Sequence, residues 1–369
     1  MRIGIMLRSY DEKGGVGVYT QNIVKELLRI DTKNEYVLLY RDPRNLGRFA
    51  DHPNVNEIHV RAPGKAMWDQ IAVPITCWRH GIDVLFHPKF TAPLLAPSKV
   101  VMTVHGADWF IPEQAKFYGK LDVAYLKLFM PLYMRKCATV ISVSQLTTEN
   151  YYSVFSLPPG KVRTVYFGPA RLFRRVEDSA EIARVRSRYD LPDRFILTLT
   201  KRLGDGRKNL GNLLRAYALY HERSSEPCRL VVGGKDCHLF REDYAIPESG
   251  YGADVIFPGW IDQADLPAVY SMAELYLYPS NLEAFPIPIT EAMSCGTPIV
   301  TSDANGLREL ADDAAILVDP EDPEAIGDAI ARVVADPELR LELRDRGLER
   351  SRMFRWDKCA RETLEILTA

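Results

Sequence analysis

Short apolar runs alternate with helix-patterned stretches along this chain, and no other feature restricts the fold as strongly. Arg2–Met6, Tyr36–Tyr40, Val84–Phe86, Val100–Val104 and Thr139–Val143 read as strands. Between them lie stretches such as Val16–Leu28, where Val16, Tyr19, Ile23, Leu27 and Leu28 recur at helical spacing, and Leu121–Arg135. This is the βαβ rhythm of a parallel sheet covered on both faces by helices.

The rhythm breaks once. Leu157–Gly160 is a turn and Val162–Phe167 one more strand. Gly168–Asp190 is then irregular, arginine-rich and poor in large aliphatics until the helix-like Ile182–Tyr189. The interdomain linker is expected here. Its arginines are interleaved with Glu177, Asp178 and Glu181, the pattern of a solvated linker and helix face rather than of a nucleic-acid patch. The alternation resumes at Phe195–Thr200 and continues through Arg229–Val232, Asp254–Phe257, Leu275–Tyr278, Pro298–Thr301 and Ala315–Val318, before a mostly helical tail from Pro323. With 369 residues there is chain enough for two domains. The expectation is an α/β protein of two successive doubly wound, Rossmann-like domains facing each other across a cleft.

Composition narrows the function classes. A net charge of -2 exerts no general pull on nucleic acid. No run of about 18 apolar residues occurs, so no transmembrane helix is expected. MRIGIMLRSY reads as a first strand rather than a signal peptide, which points to a cytoplasmic protein. The six cysteines are scattered, with no CxxC and no histidine at zinc-finger spacing, so separate reduced thiols and no metal site are expected. No cofactor is expected.

The densest chemistry lies in Asn281–Gly296, NLEAFPIPITEAMSCG. Glu283 falls in a loop at the carboxyl end of a strand, and Glu291 falls inside the following helix. Ligands bind at that end of a parallel sheet, and two carboxylates there suit the hydroxyls of a ribose and a sugar. KGGVG at Lys13–Gly17 follows the first strand and opens a helix, where small residues allow close backbone approach and the helix N-terminus favours an anion. An ordinary tight turn reads equally well there. KRLGDGRKN brings Lys201, Arg202, Arg207 and Lys208 to one strand end. A hydrogen bond to a charged group contributes about 1.5–3 kcal/mol against about 0.5–1.5 for a neutral one, so two such cations suit a diphosphate. The alternative is a solvated basic turn. His105 closes the strand VVMTVH, Ser142 and Ser144 close the next, and Ser144 suits a helix cap. In PGWID the backbone suits a nucleobase edge, and Ile261 suits its ring face.

Taken in order, GGVGVYT, TVH at Thr103–His105, RLGDGRKN, FPGWIDQADLPAVYSMAELYLYPS, the E-x7-E segment and GTPIVTSDANGLREL resemble the retaining glycosyltransferases of family 4, which share the two-domain GT-B fold. The resemblance covers essentially the whole chain. It implies an acceptor-binding domain over residues 1–168, a nucleotide-sugar-binding domain over 169–353, and a final helix, about 354–369, that packs back on the first. It implies that Arg202 and Lys208 hold a donor diphosphate, that Glu291 binds the ribose, and that Glu283 contacts the transferred sugar near the reacting centre. His105 would hydrogen-bond that sugar, Ile261 would pack on the base, and Gly15 and Val16 belong to the loop that closes on the phosphates. Ala284, Phe285, Pro286 and Ile287 complete the donor-binding set.

Two departures accompany the resemblance. The family commonly has E-G-F-G where this chain has Glu283-Ala284-Phe285-Pro286, and proline brings no backbone N–H. Gly106 follows His105 where an aspartate is usual, with Asp108 nearby. The implied reaction is metal-independent transfer of a sugar, with retention, from a UDP- or GDP-linked donor to a hydroxyl of a saccharide or lipid-linked acceptor in glycan, polysaccharide or glycolipid biosynthesis. A non-catalytic nucleotide-sugar binder and a nucleotide-sugar epimerase are the alternatives. The epimerase and oxidoreductase class usually carries GxGxxG with an acidic residue about 20 positions on, and that fingerprint is missing. Lys116, Lys120, Lys127, Arg135 and Lys136 flank an aromatic-rich helical region, which suits a peripheral membrane contact or an ordinary solvated helix.

Overall fold

The computed structural model describes residues 1–12, 14–116, 118–201 and 206–369, with all their side chains except that of Glu113. The chain divides into two compact units, Met1–Phe167 with Arg355–Ala369, and Gly168–Phe354.

The first unit runs β1 (Arg2–Met6), α1 (Gly15–Ile30), β2 (Glu35–Tyr40), β3 (Val55–His59), α2 (Gly64–Met67), α3 (Val73–Arg79), β4 (Val84–His87), β5 (Lys99–Val104), α4 (Pro112–Ala115), α5 (Lys120–Lys136), β6 (Thr139–Ser142), α6 (Gln145–Val154) and β7 (Val162–Thr164). Its seven strands form one parallel sheet in the order β3-β2-β1-β4-β5-β6-β7. Central β1 pairs Ile3 with Tyr36 on one side and Val84 on the other. Helices cover both of its faces, so Ile3, Ile5 and Met6 are all buried. On α1, Tyr19, Ile23, Val24 and Leu27 form the buried stripe that its apolar spacing requires.

The second unit runs α7 (Ser179–Arg188), β8 (Phe195–Leu199), α8 (Leu210–Arg223), β9 (Arg229–Gly233), α9 (Phe240–Asp243), β10 (Val255–Ile256), α10 (Leu266–Met272), β11 (Leu275–Tyr278), α11 (Ile287–Ser294), β12 (Ile299–Ser302), α12 (Asn305–Ala311), β13 (Ile316–Val318), α13 (Pro323–Ala335) and α14 (Pro337–Ser351). Its six-stranded parallel sheet has the order β10-β9-β8-β11-β12-β13. The last helix, α15 (Trp356–Thr368), belongs to the first unit. There the Trp356 ring packs 5.7 Å from Tyr19 of α1 and 5.0 Å from Phe167.

The structure departs from the sequence pattern in three places. β3, VNEIH, is an edge strand whose polar residues hide it in an apolar scan. β7 stops at Thr164 because Phe167 leaves the ladder to pack against Tyr19 and Trp356. β10 is two residues long, not four. The helix expected at the end of the linker is α7, capped by the Asp178 side chain. Its Arg184 and Arg188 are about half exposed, as a solvated face requires, but each also reaches Asp265 at 2.7 Å and neutralises that buried carboxylate. All six cysteines are buried free thiols. Among the described residues, no helix is long and apolar enough to cross a membrane.

Candidate functional site

In each sheet the strand order reverses once, between β1 and β4 and between β8 and β11. Loops leaving the carboxyl ends of the strands diverge at such a point and open a crevice for ligands. In the second unit one of these loops delivers Lys208 and the other delivers Glu283. Lys208 Nζ contacts the Glu283 carboxylate and the Tyr278 hydroxyl, and the Tyr278 hydroxyl donates to Glu283 Oε1 at 2.8 Å. The pair therefore spans the switch point of the sheet. An ammonium has three donors. Two are engaged in these contacts, and among the described residues none takes the third.

The two loops are fastened to each other. The Arg207 carbonyl accepts from Ser280 Oγ and from the Asn281 amide, both at 2.8 Å. Asn209, with φ 55°, takes the left-handed conformation that asparagine tolerates. Its side-chain amide donates to the carbonyls of Pro279 and Pro320 at 3.0 and 2.7 Å. Arg202 lies outside the described residues, as does Lys13 of the glycine loop.

Glu283 and Ala284 rest on the start of α12. The Gly306 amide donates to the Glu283 carbonyl at 2.9 Å. A Cβ at Gly306 would lie 2.4 Å from the Ala284 oxygen, so this close approach requires glycine. Phe285 is buried and packs edge-on against Phe354 at 5.9 Å. Pro286 occupies the position just before α11, and its carbonyl accepts from the Ile289 amide at 3.1 Å. The residue there contributes no N–H to the helix ladder, so proline costs the helix nothing. No side chain caps α11; Pro288 has no N–H and the Ile289 amide is bonded to the Pro286 carbonyl, so the Ile287 amide is the first that this positive end of the helix dipole presents.

Glu291 sits one turn into α11, half-buried, with the Tyr270 hydroxyl donating to Oε2 at 3.2 Å. Burial lifts its carboxyl from 4.5 to about 7. The native state thus keeps a proton that the unfolded chain loses between about pH 4.5 and 7, and stability falls as pH rises through that window. Melting temperatures across the window should show Glu291→Gln declining less than the parent protein. Equal declines would contradict the raised carboxyl.

Ile261 is buried, and a Cβ at Gly233 would meet its Cδ1 at 3.0 Å. Its side chain thus packs over Gly233.

The first unit holds a second ion pair across its own switch point. Glu12 follows β1, Lys89 follows β4, and Lys89 Nζ lies 2.5 and 2.6 Å from the two carboxylate oxygens. Behind it Arg8 grips Asp69 at 3.0 and 3.1 Å, with Thr91 Oγ1 donating to the same carboxylate at 3.0 Å. In the glycine loop, Gly17 is the residue the turn demands, because its Cβ would lie 1.8 Å from the Glu12 carbonyl oxygen. Gly15 is exposed, with nothing within 4 Å of a Cβ there, so only a ligand would make glycine necessary. Val16 is half-buried, and its carbonyl accepts from Thr20 Oγ1 at 2.8 Å.

His105 Nε2 lies 3.0 Å from the Pro88 carbonyl, which only accepts, so the ring proton is on Nε2 and Nδ1 is the acceptor. Burial lowers its pKa to about 4, which keeps the ring neutral at pH 7. The ring packs edge-on against Tyr19 at 4.9 Å. Asp108 accepts from the Tyr118 hydroxyl at 2.6 Å. Ser144 caps α6 by accepting from the Thr147 amide.

Sequence reasoning did not single out Tyr278, Tyr270, Gly306 or the Glu12–Lys89 pair. The two tyrosines read as strand and helix core residues, and the ion pair joins positions 77 apart.

Residues 13–168 match the family model described as glycosyltransferase family 4, and residues 183–350 match glycosyl transferases group 1. An O-antigen chain mannosyltransferase B from Escherichia coli is 27% identical over 292 residues, covering 76% of this chain and 73% of that protein. A serotype-specific mannosyltransferase WbdA from Escherichia coli is 27% identical over 369 residues, 94% of this chain but 44% of its own length, so the chain spans less than half of that relative. Among solved structures, a sucrose-phosphate synthase from Thermosynechococcus elongatus superposes with a TM-score of 0.76 at 22% identity, over 99% of this chain and 98% of the other. Anabaena HepE in complex with UDP-glucose does so with a TM-score of 0.75 at 20% identity, over 100% and 99%. The fold is GT-B, and with family models matching both halves the chain belongs to the family 4 glycosyltransferases.

Proposed function

We propose that this protein transfers a sugar, with retention, from a nucleotide-diphosphate-sugar to an acceptor hydroxyl. The observation that carries this reading is the Lys208–Glu283 pair across the second switch point, on the loop that leads into α11, whose uncapped start lies one helical turn before Glu291. The donor is a UDP- or GDP-linked hexose. Relatives named as O-antigen mannosyltransferases and a structural neighbour solved with UDP-glucose support that class.

Glu291 accepts from the ribose hydroxyls. Lys208, with Arg202 and the positive end of the α11 dipole, meets the charge that builds on the departing diphosphate. Preorganised donors of this kind supply the largest share of catalysis when charge develops on a leaving group, and the reading requires no metal ion. Glu283 receives a sugar hydroxyl, and its fixed contacts with Tyr278 and Lys208 hold it in place for that. His105, neutral, offers Nδ1 to a sugar hydroxyl. The acceptor hydroxyl attacks on the face the diphosphate leaves, and a phosphate oxygen takes its proton. The first unit binds the acceptor, a saccharide or lipid-linked glycan in polysaccharide or glycolipid synthesis, and Glu12–Lys89 is a charged pair on the loops after β1 and β4.

Incubation with UDP- and GDP-hexoses and a panel of α-linked oligosaccharides tests this. The expected product carries a new α-glycosidic bond, read from its anomeric proton signal. A β-linked product, or nucleotide-sugar consumption that yields only free sugar, would contradict it.

A further inference from the structure

The loop that leaves β4, residues 88–94, is tied down along its length. The His87 ring donates from Nδ1 to the Thr91 carbonyl at 2.8 Å, and the Thr91 amide donates to the Lys89 carbonyl at 3.0 Å. His105, at the end of β5, donates to the Pro88 carbonyl at 3.0 Å. Thr91 Oγ1 donates to the Asp69 carboxylate at 3.0 Å. Gln70 donates to the Ala92 carbonyl at 3.1 Å and accepts from the Leu94 amide at 2.9 Å. Loops are ordinarily the mobile part of a fold. One bonded to β4, to β5 and to the helical stretch after α2 has little freedom left to lose when a ligand binds.

This fixed loop displays a cation and a ring. Lys89 Nζ meets both Glu12 oxygens, and it lies 5.4 Å from the centre of the Phe90 ring. Phe90 is half-buried and packs on Trp109 at 4.8 Å, and Trp109 packs on Tyr118 at 5.3 Å. Glu12 comes from the loop after β1, Lys89 and Phe90 from the loop after β4, and Trp109 from the loop after β5. These strands are neighbours in the order β1-β4-β5, and ligands bind at their carboxyl ends. An aromatic surface beside a few fixed polar groups is the make-up of a small-molecule site. A pyranose matches it. Its C–H face is apolar and suits a ring, and its rim carries neighbouring hydroxyls that both donate and accept. Lys89 donates and Glu12 accepts, so the pair serves both roles.

Charge selects among sugars. Arg8 is paired with Asp69 as Lys89 is with Glu12, so two cations face two carboxylates. The Arg8 and Asp69 side chains are sealed at 7% and 6% exposure, whereas Lys89 and Glu12 keep 13% and 32% and can meet a ligand. Lys65 also acts on Lys89, but it is exposed to water, which weakens its field. A phosphate or carboxylate on the ligand would have to displace Glu12 from Lys89 against the repulsion of like charges.

We propose that Glu12, Lys89 and Phe90 form the subsite for the acceptor's terminal sugar and select a neutral pyranose over one that bears a carboxylate or a phosphate. This rests on the reading of the protein as a glycosyltransferase and adds the charge class of its acceptor.

Dissociation constants of methyl α-mannoside, methyl α-glucoside and methyl α-glucuronide test it, measured by saturation-transfer NMR in the presence of UDP and of GDP. The parent should bind at least one of the neutral glycosides about ten-fold more tightly than the glucuronide. Lys89→Met should weaken that binding about 10- to 100-fold, the loss of a charged hydrogen bond. Glu12→Gln keeps the shape of the side chain and leaves Lys89 without its counter-charge. It should move the preference about ten-fold toward the glucuronide, a change that a residue merely supporting the loop would not produce. Melting curves of both variants without ligand show whether the fold is kept. No binding of either neutral glycoside by the parent, a parental preference for the glucuronide, or an unchanged preference in folded Glu12→Gln would overturn the inference. Failure of the donor reading shows elsewhere, as the absence of any nucleotide-induced rise in melting temperature without a glycoside, and the glycosides are then titrated against the protein alone.

Discussion

Replacing Lys208 by methionine should lower kcat about 100- to 1000-fold, the usual loss when one preorganised group facing developing charge is removed. The fold should survive. Glu283 would still accept from the Tyr278 hydroxyl at 2.8 Å, and methionine keeps an unbranched side chain beside the Tyr278 ring, over which Lys208 Nζ lies at 4.9 Å. Initial rates with the preferred donor, together with a melting curve, separate the two effects. If Lys208 acts mainly in the transition state, kcat falls and KM for the donor changes less. A rate within about three-fold of the parent's, in a folded variant, would remove Lys208 from the machinery.

Gly306→Ala is the second large effect, and it acts at one remove. The added methyl would lie 2.4 Å from the Ala284 oxygen and 2.8 Å from the Glu283 oxygen, so the loop bearing Glu283 must shift. A displacement approaching 1 Å from a productive geometry lowers rates about 100-fold. The expected result is a kcat lower by about 10- to 100-fold, with a melting temperature only a few degrees below the parent's. The Glu283 carboxylate touches Lys208, and that contact would be disturbed. A Gly306→Ala enzyme with parental kcat would show that the position of Glu283 does not limit the reaction.

Much of this was legible in the sequence, for reasons that differ by element. Strands such as Ile299–Ser302 and Leu275–Tyr278 are buried on both faces and so appear as unbroken apolar runs. Edge strands lack that signature: Val55–His59 is mostly half-exposed and carries Asn56, Glu57 and His59. α7 reads as solvated because the partner of its arginines, Asp265, lies some eighty residues on. Within the site, Glu283 and Glu291 stand out because carboxylates are unusual in an apolar stretch. Tyr278 does not stand out, since one more aromatic in LYLY looks like packing, yet its hydroxyl orients Glu283. Gly306 is invisible for a different reason. A glycine at a helix start has many causes, and the carbonyl it makes room for belongs to a loop more than twenty residues earlier. Ala284 and Pro286 looked like departures from a glycine-rich loop. The structure gives both a place, Ala284 against Gly306 and Pro286 at the entry to α11.

Thermal unfolding in the presence of UDP, GDP and ADP, on the parent protein and on Glu291→Ala, tests the central claim most directly. A ligand at about 100 times its Kd adds about 2.7 kcal/mol to the native state, which for a domain of this size raises the melting temperature by roughly 5–10 °C. The site described above predicts that at least one of these nucleotides produces such a rise, and that Glu291→Ala, folded, abolishes most of it by removing the ribose acceptor. No rise with any of the three, or an equal rise in Glu291→Ala, would contradict the placement of a nucleotide-sugar in this crevice.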